Sequence, residues 1–276
     1  EEGNLNLKIE KTSNDTYLRA EKLSSSLINN FNVLENTLAV DLYSSDLSIN
    51  SEIKVYENLD KENTHDKYEF IFPKIDIVKR IDGLFNLNGN FFYKSNNFVK
   101  SYATNILEKV NINNLIFNSS PKITKTGFYN NYDFIIKNVN SDGKNSTDFQ
   151  NDEKFYLSGL FQYNSSYPLI KENENFQNII NPKISIKMSP DHTKNQSSNF
   201  TRLDVNNVYG MNRLASNDSL EGGLSLTYGS EFKRINKVNS RENLVFKIAN
   251  NTRLDENKNL PTNNQMGQKT SNFFGE

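Results

Sequence analysis

Residues 155–164 read Phe-Tyr-Leu-Ser-Gly-Leu-Phe-Gln-Tyr-Asn. Phe155, Leu157, Gly159, Phe161 and Tyr163 fall on one parity, against Ser158, Gln162 and Asn164 on the other. Successive strand side chains point to opposite faces, so the stretch is a strand with one apolar and one polar side. The pattern recurs. Phe85, Leu87, Gly89, Phe91 and Tyr93 stand against Asn86, Asn88 and Asn90; Leu220, Gly222, Leu224, Leu226 and Tyr228 stand against Glu221, Ser225, Thr227 and Glu231. Shorter runs are Leu5/Leu7/Ile9, Leu38/Val40/Leu42, Ile49/Ile53/Val55 and Ile184/Ile186/Met188. No helical period is sustained, and Lys100 to Lys109 fits a short helix or a strand equally well.

A soluble β-sandwich alternates too, but Val, Ile and Leu fill its inner face. Here the polar face is Asn, Ser, Thr, Gln and charge, and the apolar face ends in Tyr and Phe. Aromatic rings at strand ends suit the interfacial girdle of a membrane barrel. Segments of about ten residues match a strand tilted across a bilayer. The expectation is an all-β, antiparallel transmembrane β-barrel, with roughly ten to thirteen strands in this chain. Connections are rich in Asn, Ser and Asp, as in Asn29 to Asn36, Leu59 to Lys67, Asn138 to Asp152 and Asp191 to Asn199. Short turns alternate with longer loops, and no Pro/Gly linker divides the chain.

Composition agrees. The 276 residues are only 35% hydrophobic with a mean hydropathy of −0.71, yet they include 13 Tyr and 19 Phe. Disordered chains are poor in aromatics. A barrel reconciles the two facts, because only every second strand residue meets lipid. Net charge is −1 with both signs intermixed, which speaks against a nucleic-acid partner. Cysteine is absent, so disulfides and thiolate chemistry are excluded from this stretch. The abundance of Asn, Lys, Ile, Phe and Tyr suggests an AT-rich coding bias. Triplets such as Asn118-Ser119-Ser120 and Asn199-Phe200-Thr201 therefore carry little weight as glycosylation sites. The start at Glu1 is read as a removed signal or an excerpt from a longer protein.

Chemistry is sparse. The two histidines, His65 and His192, sit in polar loops. Asp191, Ser197 and Ser198 lie near His192, so a barrel-rim hydrolase is one reading, but nucleophilic catalysis needs a fixed base, orienter and oxyanion site. Solvated loop residues account for them better. No metal site is expected from two distant histidines, nor from Asp60 to Glu62 or Asp255-Glu256, which lack calcium-loop spacing. Gly222-Gly223 lies within the alternation rather than in a phosphate loop, so no cofactor is expected.

The carboxyl-terminal third carries more specific signals: Asn181-Pro-Lys-Ile-Ser-Ile-Lys-Met-Ser-Pro190, Leu203-Asp-Val-Asn-Asn-Val-Tyr209, Asn212-Arg213-Leu214, Asp218, Glu221-Gly222-Gly223 and Tyr228-Gly229. In that order they resemble the barrel of the LPS-assembly protein family LptD (organic solvent tolerance protein). Ser13-Asn-Asp-Thr-Tyr-Leu18, Tyr68-Glu-Phe-Ile-Phe-Pro73, Leu260-Pro261 and Lys269-Thr-Ser-Asn-Phe-Phe-Gly275 resemble further family segments. One departure is Ser219, where the family usually has Arg after the Asp. The resemblance implies family-motif positions at Asn212, Arg213, Asp218, Glu221, Gly222, Gly223, Tyr228 and Gly229, structural or lumenal in role.

It also implies one arc of a larger barrel in the outer membrane of a Gram-negative bacterium, preceded by a periplasmic jelly-roll domain absent from this chain. Its implied activity is assembly of lipopolysaccharide at the outer leaflet, without enzymatic turnover. Its implied partners are lipopolysaccharide, outer-membrane lipid, an LptE-like plug lipoprotein and, through the absent domain, periplasmic bridge proteins. A smaller porin or adhesin-type barrel is the alternative.

Overall fold

The computed structural model describes residues 2–61, 66–102, 104–149, 151–191, 193–201 and 203–276. His65 and His192 lie outside the described residues. The strands are β1 (Glu2–Lys8), β2 (Val33–Tyr43), β3 (Leu47–Asn58), β4 (Tyr68–Ile81), β5 (Gly89–Tyr102), β6 (Leu107–Ser119) and β7 (Lys122–Ile123). They continue as β8 (Tyr129–Lys144), β9 (Lys154–Ser166), β10 (Leu169–Glu172), β11 (Phe176–Ser189), β12 (Gly223–Asn236), β13 (Glu242–Arg253) and β14 (Phe274–Gly275).

All fourteen join one sheet in the order β1-β2-β3-β4-β5-β6-β8-β9-β11-β12-β13-β14, with β10 beside β11 and β7 beside β8. The pairings β1·β2, β2·β3, β3·β4, β7·β8, β9·β11, β10·β11, β11·β12, β12·β13 and β13·β14 are antiparallel. β7, β10 and β14 are only two, four and two residues long, which leaves eleven longer strands among the described residues, within the ten to thirteen that the alternation predicts. Contacts group the chain into two compact units: residues 1–82, 92–115 and 138–157, and residues 83–91, 116–137 and 158–276.

In the first unit the two faces separate cleanly. Leu7 pairs with Leu38 and Leu38 with Ile53, while Leu42 pairs with Ile49 and Ile49 with Ile77, which makes an aliphatic stripe. Charge occupies the other face. Lys54 bridges Glu35 (3.6 Å) and Glu52 (3.1 Å), and Lys74 bridges Glu52 (3.0 Å) and Asp76 (3.2 Å). The segment 9–32 closes over Leu18, Leu34 and Leu59, which are buried together. Glu10 ties it down by accepting hydrogen bonds from the Ser25 hydroxyl (2.6 Å) and the Ser26 and Glu35 amides (2.8 and 3.1 Å).

In the second unit Ile184, Ile186 and Met188 pair with Tyr228, Leu226 and Leu224 on one face. The opposite face presents Gln162, Ser185, Lys187, Ser225 and Thr227, all buried. What buries them is the long connection 190–222, whose Leu203, Val205, Val208, Leu214 and Leu220 are themselves buried.

Three local expectations change, and one open choice resolves. Residues 84–86 form a 3-10 turn and the strand begins at Gly89, because Gly83 and Phe85 take positive φ values of 69° and 56°. Leu220 and Gly222 precede β12; Leu220 packs inward against Ile135 and Leu160 instead of continuing the apolar face. The polar run from Asn138 is strand as far as Lys144, its asparagines bonded sideways to neighbouring strands. Between Lys100 and Lys109, where helix and strand fitted equally well, 100–102 end β5 and 107–109 begin β6, with 103 outside the described residues.

Candidate functional site

Among its described residues the connection 190–222 contains almost no regular structure, yet it is held by one dense ionic knot. Its centre is Glu221, two residues before β12 begins. Arg213 Nε donates to the Glu221 carboxylate at 2.7 Å, and a second guanidinium nitrogen of Arg213 completes the fork. A bidentate pair of this kind fixes orientation as well as charge. Arg253, the last residue of β13, donates to the same carboxylate at 2.8 Å and also to the Gly222 carbonyl. Lys187 of β11 stands 3.9 Å away, its buried amine without a hydrogen-bond partner among the described residues. Side-chain exposure is 0% for Arg213 and 2% for Glu221, so the knot is closed to solvent.

Neutral groups complete it. Arg213 donates to the Asn251 side-chain oxygen at 2.7 Å, which also accepts from Thr227 at 3.1 Å. Asn212 shapes the backbone around the carboxylate: it accepts from the Glu221 amide (3.1 Å) and donates to the Ser219 carbonyl (3.0 Å). Burial by itself would raise the Glu221 carboxyl, but the Arg213, Lys187 and Arg253 charges outweigh it and bring it to about 2. One carboxylate therefore faces two guanidinium groups and the Lys187 amine.

Around the knot the connection is pinned at other points. Lys137 of β8 donates to the Asn217 carbonyl at 2.5 Å, and Gln162 of β9 donates to the Tyr209 carbonyl at 2.7 Å. The segment 254–273 holds its start: Asn257 donates to Asp191 (2.7 Å), and Asn264 to the Thr201 carbonyl (2.6 Å).

The motif positions divide into four groups. Asn212, Arg213, Glu221 and Gly222 meet in the knot. Gly223 opens β12 at φ 91°, and a side chain there would strike the Arg253 guanidinium at 2.6 Å. Asp218 is separate: it pairs with Lys194 and accepts from Ser216 at 2.5 Å. Burial works to raise its carboxyl, and those two partners hold it below the usual carboxylate value. Tyr228 points away from the knot onto the apolar face. Gly229 lets β13 approach, since an added Cβ would lie 2.2 Å from the Ile248 carbonyl oxygen.

Sequence reasoning missed Lys187 and Arg253. Lys187 had a signal, a charge alternating with Ile184, Ile186 and Met188 just ahead of the motif. Arg253 had none, because only pairing of β12 with β13 brings it to Glu221. Among the described residues no group of His, Cys, Asp and Glu is placed to hold a metal.

The family model described as LptD, LPS transport system D, matches residues 3–276. No curated protein matches the chain.

Proposed function

Because the chain belongs to the LptD family, LPS transport system D, we propose that it forms part of the outer-membrane wall through which lipopolysaccharide is assembled into the outer leaflet. The chain acts as a translocation device without chemical turnover. In each unit the aliphatic face meets lipid and the opposite face lines the interior. The observation that carries the reading beyond the family match is the inward-folded connection 190–222, locked over the polar face by Arg213, Glu221 and Arg253. A general diffusion pore needs an open, hydrated interior, whereas this segment covers the polar side of β9, β11 and β12.

The motif residues are the lock: Asn212, Arg213, Glu221 and Gly222 hold the segment, Asp218 ties its end to its start through Lys194, and Gly223 and Gly229 let the strands close beneath it. Tyr228 belongs to the lipid-facing side. A polar interior of this kind suits an LptE-like lipoprotein plug, and a periplasmic jelly-roll domain preceding this chain receives lipopolysaccharide from bridge proteins.

Conditional depletion of the full-length protein in its native host tests the proposal. New lipopolysaccharide should stop reaching the cell surface, as read by modification with an outer-leaflet lipid A-modifying enzyme, and should accumulate inside. Normal surface delivery after depletion would sink the assignment in favour of a smaller pore.

A further inference from the structure

In the first unit the apolar face carries a patch that does not belong in hydrocarbon. Asn96 donates to Asp76 and so shares the charged face. One residue along, Asn97 turns to the opposite side, the side of Ile75 and the aliphatic stripe. There it joins a raft of amides spanning three strands. Tyr93 and Ser95 donate to the Asn113 oxygen at 2.7 and 2.8 Å, and Asn97 donates to Ser95 at 2.9 Å. Asn111 donates to Asn97, and Asn113 donates to Asn111 at 2.6 Å. Asn140 donates to Asn138 at 2.9 Å and to Asn111 at 3.1 Å.

Amides set against acyl chains are costly, so this part of the wall stands clear of the membrane core. The strands allow that. β5, β6 and β8 have 14, 13 and 16 residues, more than the roughly 9–11 that cross a bilayer. Asn97, Asn111 and Asn140 lie toward the ends joined by the connections 103–106 and 145–153. That is the end from which the long segment 9–32 also emerges, and long connections mark the outer side of such barrels.

Beside the raft is a groove of about 530 Å³ whose lining includes Asn97, Asn111, Asn140, Asp142, Glu153 and Phe155. Lys109 and Lys154 also line it, so its charge sums to zero and a phosphate has no net attraction. The chemistry is that of sugar recognition. Amides and carboxylates offer paired donors and acceptors to vicinal hydroxyls, and the Phe155 ring, 71% exposed, offers an apolar face to sugar C–H groups.

We infer that this groove binds a saccharide unit of the outer-leaflet glycolipid, holding lipopolysaccharide by its sugars against the outer wall. The inference rests on the lipopolysaccharide reading above.

The probe is deacylated lipopolysaccharide oligosaccharide from the host, titrated into the purified full-length protein with its native partners in detergent. Wild-type protein should bind it, and Phe155→Ala and Asn140→Ala should each weaken binding about five- to tenfold. Phe155→Tyr, which keeps the ring, should bind as wild type. Each variant is first shown to run as the compact, heat-sensitive barrel form on electrophoresis. No binding to wild type, or equal binding by Phe155→Ala, overturns the saccharide site. Equal binding of acidic phospholipid vesicles, blocked by the same substitutions, overturns the sugar in favour of a phosphate headgroup. Any of these results with normal lipopolysaccharide delivery removes only the groove; loss of the transport reading itself shows in the depletion experiment.

Discussion

At the residue scale, Glu221 sets the balance of the knot, because among the described residues it is the one anion shared by Arg213, Arg253 and Lys187. Glu221→Gln leaves two buried guanidinium groups without their anion, and removing one partner of a buried pair costs about 3–5 kcal/mol. The expected result is a barrel that unfolds at clearly lower urea concentration, with 190–222 open to protease. The pH response follows from the depressed carboxyl. Its stabilisation is full above the ordinary value of 4.5 and is lost as pH falls toward about 2, so the wild-type segment should become cleavable within that window. Asp218 has the same sign, its pairing with Lys194 fading on acidification. The Glu221→Gln protein should show a smaller pH response over the same range; an unchanged profile would remove Glu221 as its source. Gly229→Ala tests close approach rather than charge. A Cβ 2.2 Å from the Ile248 carbonyl must push β12 and β13 apart, at a cost of about 1–3 kcal/mol, measured by the same unfolding assay.

At the element scale, the two-sided strands were legible wherever the alternation was long. β9 and β11 keep the parity read from Phe155–Tyr163 and from Ile184, Ile186 and Met188. It fails where the chain bends: Phe85 and Leu87 alternate in sequence but stand in a turn set by positive φ, and Leu220 alternates with Leu224 but packs inward. The asparagine raft was hidden for another reason. Asparagine is so abundant here that a coding bias explains any single one, and only the register of β5, β6 and β8 shows that five of them meet. The knot was half legible, since Arg213 and Glu221 are close in sequence while Arg253 and Lys187 come from strands that pair later. The face assignment has its own test. Ile186→Arg puts a charge on the apolar side of β11 and should destabilise insertion by about 2–4 kcal/mol near mid-membrane, whereas Ile186→Leu should be near neutral. Refolding into lipid vesicles, followed by electrophoretic mobility, reads the difference, and equal behaviour would place that face elsewhere.

At the scale of the whole molecule, the question is what kind of opening the polar face lines. A small pore would draw its filter from charged side chains facing water. In the second unit Gln162, Ser225 and Thr227 meet the Tyr209 carbonyl and the Arg213 guanidinium of an irregular segment, and its ionic lock is closed to solvent. The segment is therefore built to stay, its apolar residues buried and its single buried carboxylate anchored from two other elements, β11 and β13. Excision of residues 194–218, with the flanks rejoined by a short polar turn, should uncover Gln162, Ser185, Lys187, Ser225 and Thr227. If the segment blocks the interior, cells carrying that full-length variant should admit large hydrophilic antibiotics that the wild type excludes, and the purified protein should conduct ions in a planar bilayer. The compact barrel form on electrophoresis shows that the strands still pair. If permeability stays at the wild-type level in a folded variant, something other than 190–222 closes the interior, and the knot is then a device for strand stability alone. Glu221→Gln divides these outcomes further: a lock that matters for closure gives partial leakage, and one that matters only for pairing lowers unfolding resistance without any leakage.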